Sequence, residues 1–348
     1  MKLDRTALEN ALKGAANVKI AVIGDMCLDR YITGNMTGIS REAPIPIIQI
    51  ETDVYLPGGA GNTTLNARGL GTTVYPLGVI GDDLSGEIMF KEFHARGINT
   101  DYMIREKGRF THAYTKVYAS AFRSKLQQSA RFDRANFNTI AKDSEEKVIE
   151  NLHRLLNIVD ALIVADYSEI LGAGTISDRV FEEVRSIAKS GKVITIGDSR
   201  ERVHHMQYFT AVKPNESEVA MALYPDDFQR RPYQQEETAK EFATLLRQKI
   251  HCKHVIMTRG EKGALIASEG CEPVNVPTLP AEGEIDVTGA GDCFAATLAT
   301  GLVLGLDIVA AVELANIAAG ITVKKLNTTG IATPQEIRST YEVFARKN

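Results

Sequence analysis

The sequence contains no block of lysine and arginine. Its 40 Lys and Arg are outnumbered by 44 Asp and Glu, giving a formal net charge of −4. Nucleic-acid binding needs a concentrated basic face, so no nucleic-acid partner is expected. Four cysteines (Cys27, Cys252, Cys271 and Cys293) stand far apart without a CxxC pair. That spacing argues against a zinc site or a disulfide framework and for reduced thiols in a cytoplasmic protein. No apolar run reaches the roughly 18 residues of a membrane span, and the opening stretch Met1 to Gly14 is too charged for a signal peptide. The Lys-Ser/Thr of a P-loop is missing, and no GxGxxG follows the first apolar run. P-loop NTPases and dinucleotide enzymes are therefore disfavoured. Internal repeats and low-complexity linkers are also lacking. With 348 residues, 44% of them hydrophobic, the chain reads as a single domain, 1–348, with a large core.

What is present is an alternation of short apolar runs and helical patterns. The runs are Val18 to Ile23, Ala161 to Ala165, Val193 to Ile196, Phe209 to Val212 and His254 to Met257. Helical spacing marks Asp143 to Ile158, Thr175 to Lys189 and Glu236 to Ile250. Near-continuous apolar strands between helices predict a mostly parallel sheet covered on both faces. Each run is followed by a polar residue: Asp25, Asp166, Asp198, Asn215 and Arg259 in turn. Singly, such residues cap helices and turns as often as they bind anything. Five at strand ends describe an active edge, because ligands of open α/β sheets bind beyond the carboxyl ends of the strands.

Two stretches depart from this rhythm, about 30–56 and 111–133. Both show partial period-2 alternation and predict antiparallel strands of a small second sheet. Beside the active edge such a sheet would act as a lid, and its unpaired edges would suit a homodimer contact.

Four motifs carry chemistry. The sharpest is Asp286-Val287-Thr288-Gly289-Ala290-Gly291-Asp292, ahead of the apolar stretch Cys293 to Leu306. Glycines at a helix start leave amides facing an anion, and the helix dipole adds positive potential there. A carboxylate in the first turn can then take a proton from a neighbouring hydroxyl, as phosphoryl transfer requires. The plainer alternative is a Gly-rich turn with Asp292 as a helix-start residue. In Pro57-Gly58-Gly59-Ala60-Gly61-Asn62, glycines allow close backbone approach and Asn62 offers a donor and an acceptor to a sugar hydroxyl; a flexible loop is the alternative. Lys213-Pro214-Asn215-Glu216-Ser217-Glu218 suits a hydrated Mg²⁺ near phosphates, or else simply starts a helix. Thr258-Arg259-Gly260-Glu261-Lys262-Gly263 would border nucleotide phosphates, or else make an ordinary hairpin turn.

In this order the motifs resemble those of the ribokinase-like (PfkB) carbohydrate kinases, across Gly24 to Pro334. The resemblance implies a three-layer α/β/α sandwich, a mostly parallel central sheet and a small β-sheet lid over a sugar. It implies Asp292 as catalytic base, with the amides of Gly289, Ala290 and Gly291 as anion hole. Asp25, Asp29, Gly58, Gly59 and Asn62 would hold the sugar. Lys213, Asn215, Glu218, Thr258, Arg259, Gly260 and Gly263 would serve ATP, with adenine near Asn316, Ala319 and Gly320. Glu218 would reach Mg²⁺ through water, and Asp286 and Thr288 would help to hold K⁺.

Within the family, Gly24 to Tyr31, Ile39 to Pro46, Gln127 to Asp133 and Gly330 to Pro334 look like the kinase module of ADP-heptose synthesis. That likeness implies D-glycero-D-manno-heptose 7-phosphate as acceptor, phosphorylated at the C1 hydroxyl, with Arg131 reaching its phosphate. Lys116, Arg123 and Lys125 are further cationic candidates. The chain departs at Arg41, where the pattern has proline, and at Ser199-Arg200, where it has Pro-Lys. No fused nucleotidyltransferase domain is expected. The alternatives are another acceptor (ribose, a keto-deoxy sugar acid, a nucleoside, fructose 1-phosphate) and a sugar- or nucleotide-binding sensor without turnover.

Overall fold

The computed structural model describes residues 2–121, 125–168, 170 and 172–347. In chain order its strands are β1 (Lys19–Gly24), β2 (Met26–Ile39), β3 (Pro46–Gly59), β4 (Thr73–Leu77), β5 (Val79–Gly81), β6 (Ile104–Glu106) and β7 (His112–Ser120). There follow β8 (Gln127–Arg134), β9 (Ala161–Asp166), β10 (Ile194–Ser199), β11 (Ala211–Val212), β12 (His254–Thr258), β13 (Ala264–Ser268) and β14 (Val274–Val276). The helices are α1 (Arg5–Gly14), α2 (Ala60–Gly69), α3 (Leu84–Ala95), α4 (Lys142–Leu155), α5 (Asp178–Ser190), α6 (Glu216–Leu223), α7 (Glu236–Ile250), α8 (Ala290–Val303), α9 (Ile308–Thr322) and α10 (Pro334–Lys347).

Eight strands form the main sheet in the order β14-β13-β12-β11-β10-β9-β1-β4. The six from β12 to β4 pair in parallel, whereas β13 pairs antiparallel with both of its neighbours. All six residues of β9 are buried, as a strand covered on both faces requires. One face of the sheet is covered by α4, α5, α6 and α7, the other by α2, α3, α8 and α9, each over its own apolar cluster. The sandwich has three layers, as the apolar runs predict.

α5 shows how the sequence sets one helix. Ser177 caps its start by accepting the Val180 amide at 3.2 Å, and Gly191 ends it in the left-handed region at φ +63°. Val180, Phe181, Val184, Ile187 and Ala188 recur at helical spacing and are buried against the sheet. Each large apolar side chain buried in this way contributes about 1.5–3 kcal/mol.

The two stretches with period-2 alternation form the second sheet, ordered β3-β2-β7-β8. β2 pairs antiparallel with β3 but in parallel with β7, so the lid is mixed and not wholly antiparallel as expected. The connection from β2 to β7 runs through β3, α2 and α3, and a crossover of that length permits parallel pairing. Arg123, one of the candidate cations, lies outside the described residues.

Candidate active site

The carboxyl ends of the central strands converge on the N-terminus of α8. Asp166 is the last residue of β9, and Asp198 is the penultimate residue of β10, within the strand and not beyond it. Lys213 follows β11 directly. α8 begins at Ala290, and Gly289 before it adopts φ +79°. A β-carbon on Gly289 would come within 2.4 Å of the Asn62 amide, so only glycine allows this approach.

Asp292 is in the first turn of α8 and faces a cavity of about 550 Å³. Asn62 donates to its Oδ2 at 2.7 Å, and Thr63 lies 3.2 Å from Oδ1. The Tyr167 hydroxyl is 2.8 Å from the same Oδ1 and 2.6 Å from Asp198 Oδ2. Lys213 Nζ sits 3.0 Å from Asp198 Oδ2. Burial pushes the Asp292 carboxyl up to about 6; the Asn62 hydrogen bond works against that rise, the Asp198 charge adds to it, and a donated Tyr167 hydroxyl and the Lys213 charge would work against it. For the Lys213 ammonium burial opposes the charge, but Asp198 and Glu218 outweigh it and the net shift is upward.

The sequence-predicted residues divide into those the cavity brings together and those the fold uses elsewhere. Asp29, Gly59, Lys213, Asn215 and Glu218 line the Asp292 cavity, as do Thr288, Gly289 and Gly291. Asp25 lies outside its lining. Its two carboxylate oxygens accept the amides of Tyr167, Ser168 and Thr175 at 2.7–3.1 Å, which ties down the loop after β9. Asn62 is fully buried and holds Asp292 and Asn66. Gly58 is buried over Asp29, where a β-carbon would meet the carboxylate at 2.8 Å.

Asn215 and Glu218 form a capping box on α6: Asn215 Oδ1 accepts the Glu218 amide, and Glu218 Oε2 accepts the Asn215 amide. The helix-start alternative therefore holds for this motif, although both side chains also face the cavity. Burial raises the Glu218 carboxyl, and Lys213 opposes that rise. Asp286 accepts the amides of Thr288 and Asn327 and so closes its loop. The Ala290 amide is given to Val287 O at 3.2 Å, so of the three amides expected to face an anion this one is already bonded within the chain.

A second cavity, about 490 Å³, opens on the other side of the α8 N-terminus. Thr258, Gly260, Gly263, Asn316, Ala319 and Gly320 line it. Asn316 is anchored by donating to Val276 O and Pro277 O, both at 3.1 Å. Arg259 is not in the lining. Its side chain is 1% exposed and pairs with Glu216 at 2.8 Å and Glu236 at 2.6 Å. Gly291 lines both cavities, which therefore meet at the helix terminus.

The sequence reading missed Tyr167, Thr63 and the apolar residues Ile285, Val287 and Phe294 that line the second cavity. Tyr167 could have been found, since it directly follows the Asp166 strand end. Of the cationic candidates, Lys116 and Arg131 line the Asp292 cavity together with Arg200. Lys125 lines an adjoining cavity that shares Lys116 and Arg131. Burial raises the Asp29 carboxyl, and Lys116 and Arg131 oppose that rise. Among the described residues, no group of three or more His, Cys, Asp or Glu converges as a metal cage, and no helix is long and apolar enough to cross a membrane.

This arrangement can be set beside known proteins. Residues 17–335 match the profile of the pfkB family carbohydrate kinase. The bifunctional protein HldE of Trichlorobacter lovleyi is 32% identical over 337 residues, covering 96% of this chain and 65% of that protein. HldE of Pelobacter propionicus is 30% identical with the same coverage. The chain thus spans about two thirds of the length of the curated relatives it matches. Among solved structures, Arabidopsis thaliana ribokinase complexed with ribose and ATP superposes with TM-score 0.69 at 19% identity, covering 93% of this chain and 98% of that one. Escherichia coli phosphofructokinase-2 with substrates and products gives 0.73 at 16%, covering 94% and 100%. The fold is ribokinase-like, and the chain belongs to the pfkB family of carbohydrate kinases.

Proposed function

We propose that this carbohydrate kinase transfers the γ-phosphoryl group of ATP to the C1 hydroxyl of a sugar phosphate, with D-glycero-D-manno-heptose 7-phosphate as the favoured acceptor. The carrying observation is that the cavity containing Asp292 also contains Lys116, Arg131 and Arg200. A neutral sugar does not need three cations, whereas a phosphate remote from the reacting hydroxyl does. The likeness to HldE proteins agrees with this acceptor.

In this reading ATP occupies the cavity lined by Asn316, Ala319 and Gly320, with its γ-phosphate at the start of α8. The acceptor lies against Asp29 and Gly59 under the lid. Asp292 takes the hydroxyl proton, the oxygen bonds to the γ-phosphorus, the β–γ bridge bond breaks and ADP leaves. Lys213 and the amides at the start of α8 hold the charge on the moving group. A Mg²⁺ ion, which takes one or two carboxylates and otherwise phosphate and water oxygens, fits the Glu218 carboxylate at the cavity wall. When bound it would neutralise phosphate charge. The Asp286–Thr288 turn is the place for a monovalent cation, tested by comparing rates in K⁺ and Na⁺. Ile39, Ile45, Ile47 and Ile50 at the lid are exposed, and a second copy of the chain would cover them as a homodimer, measurable as solution mass.

The test is ADP release over a panel of heptose 7-phosphate, ribose, fructose 1-phosphate and nucleosides. The phosphorylated heptose should give the highest kcat/KM. Preference for ribose or a nucleoside would overturn the acceptor, and ATP binding without turnover of any sugar would favour a sensor. Asp292→Asn should lower kcat by about 10²–10⁴-fold, the usual contribution of a positioned base.

A further inference from the structure

Tyr167 presents one hydroxyl to two carboxylates, at 2.6 Å from Asp198 Oδ2 and 2.8 Å from Asp292 Oδ1. A phenol has a single proton and can donate to only one of them. With both carboxylates ionised, the second contact would set oxygen lone pairs against each other inside hydrogen-bond distance. Both short contacts are satisfied only if the group of three carries one additional proton.

The surroundings locate that proton. Asp198 Oδ2 already receives Lys213 Nζ at 3.0 Å, so its ionised form is stabilised and it remains a carboxylate that accepts from the phenol, while an added proton goes to Asp292. Asp292 has no cation this close among the interactions of the described residues; its other partners are the neutral Asn62 and Thr63. The remaining charged and titratable groups facing the trio are Arg200 over the Tyr167 ring, Asp25 beneath the Tyr167 amide, Cys27 on the cavity wall and Glu218 beyond Lys213. Of these only Arg200 is cationic, and it lies on the Tyr167 side; Asp29, Lys116 and Arg131 also line the cavity, and the Lys213 charge reaches Asp292 as well.

We propose that Tyr167 is a positioning residue that donates to Asp198 and accepts from the acid form of Asp292, so that it raises the pH at which the base gives up its proton to solvent. This rests on the kinase reading only in giving Asp292 its role as base.

The test is Tyr167→Phe, read in two ways, with its fold checked by melting temperature. In the pH profile of kcat/KM the acid limb should move down by about one pH unit, the value of one neutral hydrogen bond to the acid form. A limb that moves up would mean that Tyr167 donates to Asp292, and an unmoved limb would mean that it only packs; either result overturns the proposal. The second readout needs no turnover. In infrared titration of the substrate-free protein, the carboxylic-acid carbonyl band lost in Asp292→Asn should disappear at lower pH in Tyr167→Phe than in wild type. If wild type shows no such band, the shared proton is refuted without any variant. If no sugar is phosphorylated but the band behaves as stated, the kinase reading fails and the proton sharing stands.

Discussion

Asn62→Ala tests the electrostatics of the site through a residue that does not line the Asp292 cavity. Its amide nitrogen donates to Asp292 Oδ2 at 2.7 Å, and an NH₂ group can only donate. The bond therefore favours the carboxylate over the acid. A hydrogen bond to a charged group is worth about 1.5–3 kcal/mol, which is about one to two pH units. The wild-type acid limb of kcat/KM is expected near the value of about 6 to which burial raises Asp292. In Asn62→Ala it should lie at about 7 to 8, leaving the variant about 10- to 100-fold below its own plateau at pH 6. Asn66 keeps its bonds to the carbonyls of Asn62 and Gly330, so the local helix should survive. The assay is kcat/KM across the pH range at subsaturating sugar. Loss of a sugar contact would lower the whole curve and leave the limb in place. A limb that stays put would show that Asn62 does not stabilise the charged base and would refute the argument.

Other perturbations separate site residues from structural ones. Alanine at Lys116 and Arg131 should raise KM for a phosphorylated acceptor about 10-fold or more each, while changing KM for an unphosphorylated analogue little; equal effects on both would remove the phosphate argument. Arg259→Ala should lower stability by about 2–4 kcal/mol by stranding Glu216, with Glu236 contributing less because it is half-exposed. ATP affinity should change little, and a large rise in KM for ATP with unchanged melting would restore Arg259 to the nucleotide site. Asp166 is pushed up to about 7, by burial first and then by the Asp25 charge. A carboxyl whose folded value is raised binds protons more tightly in the native state, so stability falls as pH rises from the unfolded value near 4 to about 7. Asp166→Asn should therefore raise the melting temperature at pH 8 and leave it nearly unchanged at pH 4, and a gain of equal size at both would contradict the burial argument.

The layered fold was legible because its signal is local. β9 and β12 are bounded apolar runs, and α7 spans the predicted Glu236 to Ile250. The parallel pairing of β2 with β7 was not legible, because alternation within a strand says nothing about the direction of its neighbour. At the site, residue types were readable but commitments were not. Asn62 and Asp25 both looked like sugar ligands, being polar and next to glycines or a strand end. Asn62 is bonded to a residue 230 positions away, and Asp25 to a loop more than 140 positions away. Arg259 has the same history: a cation after a strand suggests phosphate, until two glutamates from α6 and α7 close around it.

Tyr167 shows why the remainder was hidden. An aromatic residue after a buried strand is usually packing, and its only local mark is that it directly follows the Asp166 strand end. Its role depends on Asp198 and Asp292, which three separate elements bring within hydrogen-bond reach of one oxygen. The two neighbours of the base then predict opposite outcomes. Asn62 can only donate to Asp292, so removing it must favour the acid. The Tyr167 hydroxyl can donate or accept, and Lys213 beside Asp198 decides which. If Asn62→Ala moves the acid limb up and Tyr167→Phe moves it down, a single carboxylate is held between a group that charges it and a group that keeps it protonated. If both move it the same way, Asp292 has two ordinary donors and the shared proton does not exist.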